Sequence, residues 1–559
     1  MSISILYCFS TRDAATASEH APSPRRNFSL RTVALVAMVI PLLLAACSPT
    51  GTTTTPTPTP TYPPPTQLDF ATVDPNYIYD QLFYMATHFQ HRQAGFDNNL
   101  PVNVNGHNEF AAYWAQEMQR DLAGFGPTVR RDSFHVDGWS NTPATVPAFN
   151  VEVTVPGVIH PEQEVVIGCH YDGEASSTQS ANDDASGCAI ELGVAKALGI
   201  YWRAHQVYPA RTLRFVIFDA EEQGLFGSFH YLNQTVNGDT GNIIAMFNEE
   251  QSGIAYPLRF LGKTSNPLLP LFIYTAPSGN NPDFYPDLTH TASQNAAINN
   301  FDGLLRQALP NVFARFQQLG YSTLTYRDDS GNPVKQQVFA QSQLSNVQQA
   351  PDTLGSSDQV PFTLAGLPCA TLVGNSTYYD NNPPPWSYPF DQPEDTIQMM
   401  NTFANDTSSE APALTLSLAL PGMITTWMLQ QPSILGVAPA DGKPLAAISD
   451  IGQTVVGQPL ALDANATYDP VNDGASFSYA WDFGDGATGQ GVTVSHTYTH
   501  TGTYTLTLTV REASGASRVI HKTLNIAMQP TTYLNAYGSP LPDGNPPSNP
   551  SATLPPLGP

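Results

Sequence analysis

Charge is scarce in this sequence, and positive charge is scarcest. Only 12% of its 559 residues are Asp, Glu, Lys or Arg, and 47 acidic residues face 22 basic ones, for a formal net charge of −25. A surface of that sign repels phosphate backbones and anionic lipid headgroups, which excludes nucleic-acid binding and electrostatic docking on a membrane. Cysteine is rare too: Cys8, Cys47, Cys169, Cys188 and Cys369 are the five. The last three each lie in an apolar run, the setting of buried free thiols rather than of a disulfide framework. The N-terminal apolar run, Val33 to Ala46, is short for a membrane span. Histidine is missing over a long stretch. Of 13, none falls between His290 and His496, so that stretch offers no imidazole.

What is present at the N-terminus is a targeting pattern. "RRNFSLRTVALVAMVIPLLLAAC" runs from basic to apolar residues and ends in Leu44-Ala45-Ala46-Cys47. This is a signal-peptide pattern over residues 1–47 whose end resembles a bacterial lipobox, which implies cleavage before Cys47 and lipidation of its thiol. The alternative is an ordinary core cysteine after an apolar helix. The expected location is extracytoplasmic, anchored to a membrane by lipid. Residues 48–67 form a Thr/Pro-rich tether, extended and solvated. A large domain follows over 68–430, a linker over 431–444, a small domain over 445–527 and a Pro-rich tail over 528–559, expected to be disordered.

In the large domain, "FNVEVTVPG", "EVVIGCHYD", "TLRFVIFDAEE", "NIIAMFNEE" and "PCATLVG" read as buried strands. "GCAIELGVAKALGIYWRAH" and "FDGLLRQALPNVFARFQQLG" carry helical periodicity. The alternation predicts an α/β domain with a mostly parallel sheet, whose sites form at the carboxyl ends of strands. His170, Asp172, Glu221, Glu222 and Glu250 all fall there. The small domain instead alternates in period two between Gly/Asp/Asn turns, the signature of an all-β sandwich. Its words Tyr479-Ala480-Trp481-Asp482-Phe483-Gly484-Asp485-Gly486 and His496-Thr497-Tyr498 closely resemble the PKD domain, an immunoglobulin-like module. That resemblance implies a spacer or adhesion role, with surface polysaccharide or protein as the partner.

Three further words carry chemistry: Gly168-Cys169-His170-Tyr171-Asp172, Ala181-Asn182-Asp183-Asp184-Ala185-Ser186-Gly187, and Phe218-Asp219-Ala220-Glu221-Glu222-Gln223-Gly224. Singly, each has a plain structural reading: a polar strand end, a helix cap, a solvated face. Together and in this order they resemble the co-catalytic di-zinc aminopeptidase family (metallopeptidase family twenty-eight), with a phosphorylase/hydrolase-like α/β/α sandwich. The resemblance implies two divalent metal ions, zinc in the family, and peptide or protein substrates. It makes Asp183 the bridging ligand, His170 and Glu222 further ligands, Asp172 the partner that orients His170, and Glu221 the general base.

The sequence departs from the family at three words. Asn248-Glu249-Glu250 stands where the family has Asn-Leu-Asp, which puts Glu250 on the ligand position, with Glu249 as a register alternative. Ser357-Asp358-Gln359-Val360-Pro361-Phe362 has Gln359 in place of a histidine. Phe390-Asp391-Gln392-Pro393-Glu394-Asp395-Thr396 aligns with Tyr-His-Thr-Pro-x-Asp-Thr, so that Asp391 replaces the last histidine ligand and Phe390 a tyrosine. His88, His91 and His107 are expected to pack away from the site, and His230 to be structural. One imidazole and four carboxylates favour harder ions such as Mn, Mg or Ca beside zinc. Two other readings stay open: an inactive surface-binding module of the same fold, and a glutaminyl-cyclase-like acyltransferase. The segment from Ala255 to Ala350 matches no motif and is expected to carry substrate specificity.

Overall fold

A computed structural model describes residues 67–528, except 95–105, 138–144, 236–239, 255, 258–267, 270, 279–287, 320–322, 328–332, 338–346, 353–356, 375–387, 390, 405–413, 450, 452–453, 470 and 473. The expected signal sequence with Cys47, most of the expected tether, Phe390 and the tail beyond 528 lie outside the described residues, as do parts of the segment from Ala255 to Ala350. Among the described residues no helix is long and apolar enough to cross a membrane.

Eight strands form the central sheet: β1 (Thr128–Asp137), β2 (Thr145–Val155), β3 (His160–His170), β4 (Arg211–Phe218), β5 (Ile243–Glu250), β6 (Phe272–Thr275), β7 (Gln348–Pro351) and β8 (Cys369–Val373). Their spatial order is β1-β2-β4-β3-β5-β8-β6-β7. The four middle strands run parallel, while β1-β2, β2-β4 and β8-β6 pair antiparallel. The parallel run expected from the sequence is therefore the heart of a mixed sheet. Period-two alternation gives each middle strand two apolar faces. Val165, Ile167 and Cys169 of β3 face one core, and Val166 faces another.

Helices cover both faces: α1 (Pro75–His88), α2 (His107–Asp121), α3 (Ala185–His205), α4 (Phe226–His230), α5 (Ala292–Gln318), α6 (Gln359–Leu364), α7 (Ile397–Ala404) and α8 (Leu414–Leu429). α1, α2, α3 and α8 share the larger core with Phe247 and Phe215. Phe362 of α6 and Ile298 of α5 close the smaller one over Val216, Phe218 and Met246. The start of α3 is set chemically. The Asp184 carboxylate accepts from the Gly187 N–H at 2.8 Å. Gly187 must lack a side chain, since a Cβ there would lie 2.2 Å from the Glu249 carbonyl oxygen. The helix start is thereby pressed against the end of β5.

One expectation is corrected. Cys169 and Cys188 are not free thiols but form a disulfide, with Cα atoms 5.5 Å apart. Cys169 points from β3 toward the helix layer, and Cys188 points back from the first turn of α3. Either residue alone looks like an ordinary buried thiol, because the pairing depends on the packing of α3 on β3. Cys369 is buried and free.

In the small domain the strands Thr454–Val455, Ser517–Ala527, Gly502–Glu512, Phe477–Asp482 and Thr488–Gln490 form one sheet in that order. Leu460–Asp463 pairs with Thr493–His496 in a second. Trp481 is buried among Leu462, Leu506 and Leu508, and its indole N–H donates to the Gly491 carbonyl at 2.9 Å. Trp481→Ala is expected to destabilise this sandwich by about 3–5 kcal/mol, a large share of a small domain's stability. In calorimetry, the transition of this domain should fall while that of the large domain holds.

Candidate metal centre

Three adjacent parallel strands end at one place. β3 ends in His170, β4 leads through Asp219 and Ala220 to Glu221 and Glu222, and β5 ends in Glu250. Asp183 and Asp184 arrive on the loop that opens α3. His170 Nε2 lies 2.9 Å from Asp183 Oδ1 and 3.7 Å from Glu250 Oε1. Two groups of three ligand atoms lie close enough to hold an ion: His170 with Asp183 and Glu222, and His170 with Asp184 and Glu250. The Asp391 side chain hydrogen-bonds to Asp183 but belongs to neither group. Four of the five expected ligands thus converge within ligand reach, the fifth touches the bridging position, and Asp184, not foreseen, joins them.

The surrounding contacts resolve the remaining expectations. Asp172 stands behind His170, with Nδ1 to Oδ1 at 3.5 Å, too long for a firm hydrogen bond. Its oxygens instead accept from the backbone N–H groups of Glu221 and Glu222 at 3.1 and 3.2 Å. Asp172 therefore orients the glutamate pair at least as much as the imidazole. Glu250 faces the site and takes the Ser357 hydroxyl at 2.6 Å. Glu249 faces the opposite side of the sheet, where Thr425 donates to it at 2.6 Å and burial raises its pKa to about 8. Gln359 is a bracing residue, donating to Asp352 at 3.0 Å. His230 stacks on Phe134 and meets Asp132 at 3.2 Å, a structural role. His107 does not pack away from the site as expected. It lies beneath it, its Nε2 2.8 Å from the carboxylate of Asp219, two residues before Glu221.

Several supporting residues carry no motif signal of their own. Arg92 is buried and donates to the carbonyls of Tyr171, Phe89, Gln179 and Ser180, which ties down the loop between His170 and Asp183. Asp395 accepts from the N–H groups of Asn182 and Asp183 at 2.9 and 3.1 Å and from the Tyr388 hydroxyl at 2.7 Å. Gln251 donates to Asp183 Oδ2 at 3.0 Å. Left-handed backbone also gathers here. Ser180, Ala220, Gln251 and Asp391 have φ of 43°, 58°, 44° and 60°. Non-glycine residues in that region cost roughly 1–3 kcal/mol each and cluster at functional sites.

The electrostatics show whether such a site suits a cation. Burial, helped by neighbouring carboxylates and opposed at all but Asp391 by His170, pushes Asp183, Asp184, Glu221, Glu222 and Asp391 above the usual carboxylate range. Burial opposes a charge on His170, but Glu250 and Glu221 outweigh it and hold the imidazole well above its ordinary value. The outer oxygen of Asp184 is buried and has no hydrogen-bond partner among the described residues. Oxygen donors with unspent lone pairs around one imidazole fit divalent cations, which supply the charge the carboxylates lack.

Residues 150–272 match the sequence model of peptidase family M28, and residues 442–528 that of the PKD domain. The chain carries an M28 peptidase domain followed by a PKD domain. The M28 match contains His170, Asp183, Glu221, Glu222 and Glu250. Over 113 residues the chain is 35% identical to vacuolar protein sorting-associated protein 70 of Saccharomyces cerevisiae, covering 20% of this chain and 13% of that one. Over 155 residues it is 32% identical to a probable zinc metalloprotease of Pyrenophora tritici-repentis, covering 26% of this chain and 31% of the relative. The chain thus spans less than a third of either relative's length. BSAP, a zinc aminopeptidase from Bacillus subtilis, superposes with a TM-score of 0.40 at 14% identity, covering 65% of this chain and 95% of that one.

The Asp395 contacts test the assembly of the M28 site. Asp395→Asn keeps one acceptor oxygen and sets an amide donor against the backbone N–H that the other oxygen accepted from. We expect a loss of about 2 kcal/mol or more in urea unfolding of the large domain.

Proposed function

We propose that the protein is a metallo-exopeptidase that acts as an aminopeptidase on peptide or protein substrates, exported and held at a membrane through lipidated Cys47. The single observation that carries the catalytic part is the convergence of His170, Asp183, Glu222 and Glu250 at neighbouring strand ends with Glu221 beside them. Divalent ions held by these residues would polarise the scissile carbonyl and acidify a water. The protein's own contribution is proton handling and orientation. Glu221 is half-buried, and desolvation of its carboxyl raises its proton affinity, as a group that takes a proton from water and returns it to the leaving amine requires. Asp172 fixes the backbone of Glu221, and Arg92 with Asp395 fixes the loop that carries Asp183. The Cys169–Cys188 disulfide supports an oxidising, extracytoplasmic compartment, and the PKD domain supports contact with a surface polymer or protein.

The proposed metal complement is two ions, with Asp391 completing the position shared by Asp183 and Glu222. If His170 serves the ion held with Asp184 and Glu250, this position keeps only oxygen ligands in place of the family's histidine and so favours a harder ion such as Mn over zinc. Asp391→His is expected to raise zinc occupancy relative to Mn, read by elemental analysis of protein loaded with both. A second reading, a binding module of the same fold without catalysis, draws on the position of Asp391 outside both ligand groups.

Glu221→Gln decides between them. The aminopeptidase reading expects hydrolysis of free amino-terminal peptides to fall by about 10²–10⁴-fold with metal content unchanged, and amino-terminal acetylation of the substrate to block the wild-type enzyme. Equal turnover by wild type and variant would overturn the role of Glu221. Wild-type protein that loads metal but cleaves nothing would favour the binding module.

A further inference from the structure

The disulfide lies beside the metal centre, not in a remote part of the core. Cys169 immediately precedes His170 at the end of β3, and Cys188 sits in the first turn of α3, four residues after Asp184. The two cysteines are 19 residues apart, so the covalent ring they close contains His170, Asp172, Asp183 and Asp184 together. Both are fully buried. Between the last residue of β3 and the first of α3 the chain is irregular, and Ser180 within it adopts left-handed backbone.

The distance from His170 to Asp183 is therefore a distance between two elements joined by a long irregular loop. Hydrogen bonds to Arg92 and Asp395 hold the middle and the end of that loop. The disulfide holds its two roots. Because strand side chains alternate, Cys169 points into the helix layer while His170 points the opposite way, toward Glu250. The bond thus fixes the strand end from behind and leaves the imidazole face open to the site. The Asp184 carboxylate also accepts from the Gln251 N–H just past β5 at 3.1 Å, so the root of α3 is tied to β5 by a hydrogen bond and to β3 by a covalent bond.

We propose that the Cys169–Cys188 disulfide is a positioning device for the metal centre, holding His170 against Asp183 and Asp184 at ligand spacing before an ion binds. The inference rests on the metallopeptidase reading above. A preformed site loses less on ordering and binds more tightly, and groups that orient metal ligands typically contribute 10–100-fold to affinity.

The test uses the full-length protein. Peptide mapping under non-reducing conditions should recover Cys169 and Cys188 as one linked peptide. The double variant Cys169→Ala/Cys188→Ala is then compared with wild type for Zn and Mn dissociation constants, by competition with a chromophoric chelator well below both melting temperatures. Weakening of about tenfold to a hundredfold, with an altered visible spectrum of the cobalt-loaded protein, supports the proposal. Should the double-alanine chain not fold, Cys169→Val/Cys188→Ala refills the volume and is read in the same way. A lowered melting temperature with metal affinity within threefold of wild type would make the bond a general staple and overturn the proposal. Two separately alkylated cysteines would overturn it as well. Wild-type protein that binds no divalent ion would overturn the metallopeptidase reading first, and this inference with it.

Discussion

Like charges packed out of water are the constraint on which this domain depends. Asp183, Asp184, Glu222, Glu250 and Asp391 converge on a single imidazole, and burial makes their mutual repulsion hard to screen. The fold answers with whatever positive charge it can place. The amino end of α3 meets the Asp183–Asp184 loop, where the Gly187 N–H donates to the Asp184 carboxylate. Arg92 contributes a buried guanidinium, although its hydrogen bonds go to four backbone carbonyls. His170 completes the set. What remains unbalanced is the charge that a metal centre supplies, and most of the bracing around it serves to hold acids where they would otherwise separate.

β5 shows how little backbone is needed to separate catalysis from core. Glu249 and Glu250 are neighbours in sequence and lie on opposite faces of the sheet. One accepts from Thr425 in the helix layer, and the other reaches His170. The same carboxyl chemistry is therefore structural at one position and turned toward the candidate metal centre at the next, and only the pleat distinguishes them.

Much of this was legible in the residues themselves. Apolar runs ending in His170, in Asp219 through Glu222 and in Glu250 located the strand ends, because a parallel sheet buried on both faces leaves polar residues only at its margins. The alternation around Trp481 located the sandwich in the same way. The disulfide was not legible, since the Cys169–Cys188 pairing is a fact about helix packing and both residues look like ordinary buried thiols in their apolar runs. Arg92, His107 and Asp395 were hidden for a related reason. Each acts on backbone or on a second carboxylate far away in sequence, and such work has no spacing to betray it. The choice between Glu249 and Glu250 was open until the register of β5 against β3 and β8 was known.

The bonds from Asn182 and Asp183 to Asp395 span 213 and 212 residues of chain. Contacts of such separation repay their loop-closure entropy only after the intervening chain has folded. The brace that Asp395 gives this loop is consequently among the last contacts of the domain to close. A chain emerging amino end first, whether from a ribosome or through a translocation channel, displays His170 and Asp183 long before Asp395 can reach them. The loop that carries Asp183 therefore takes its final brace only in the finished domain, although every residue of the two ligand groups has by then long been in place in the chain.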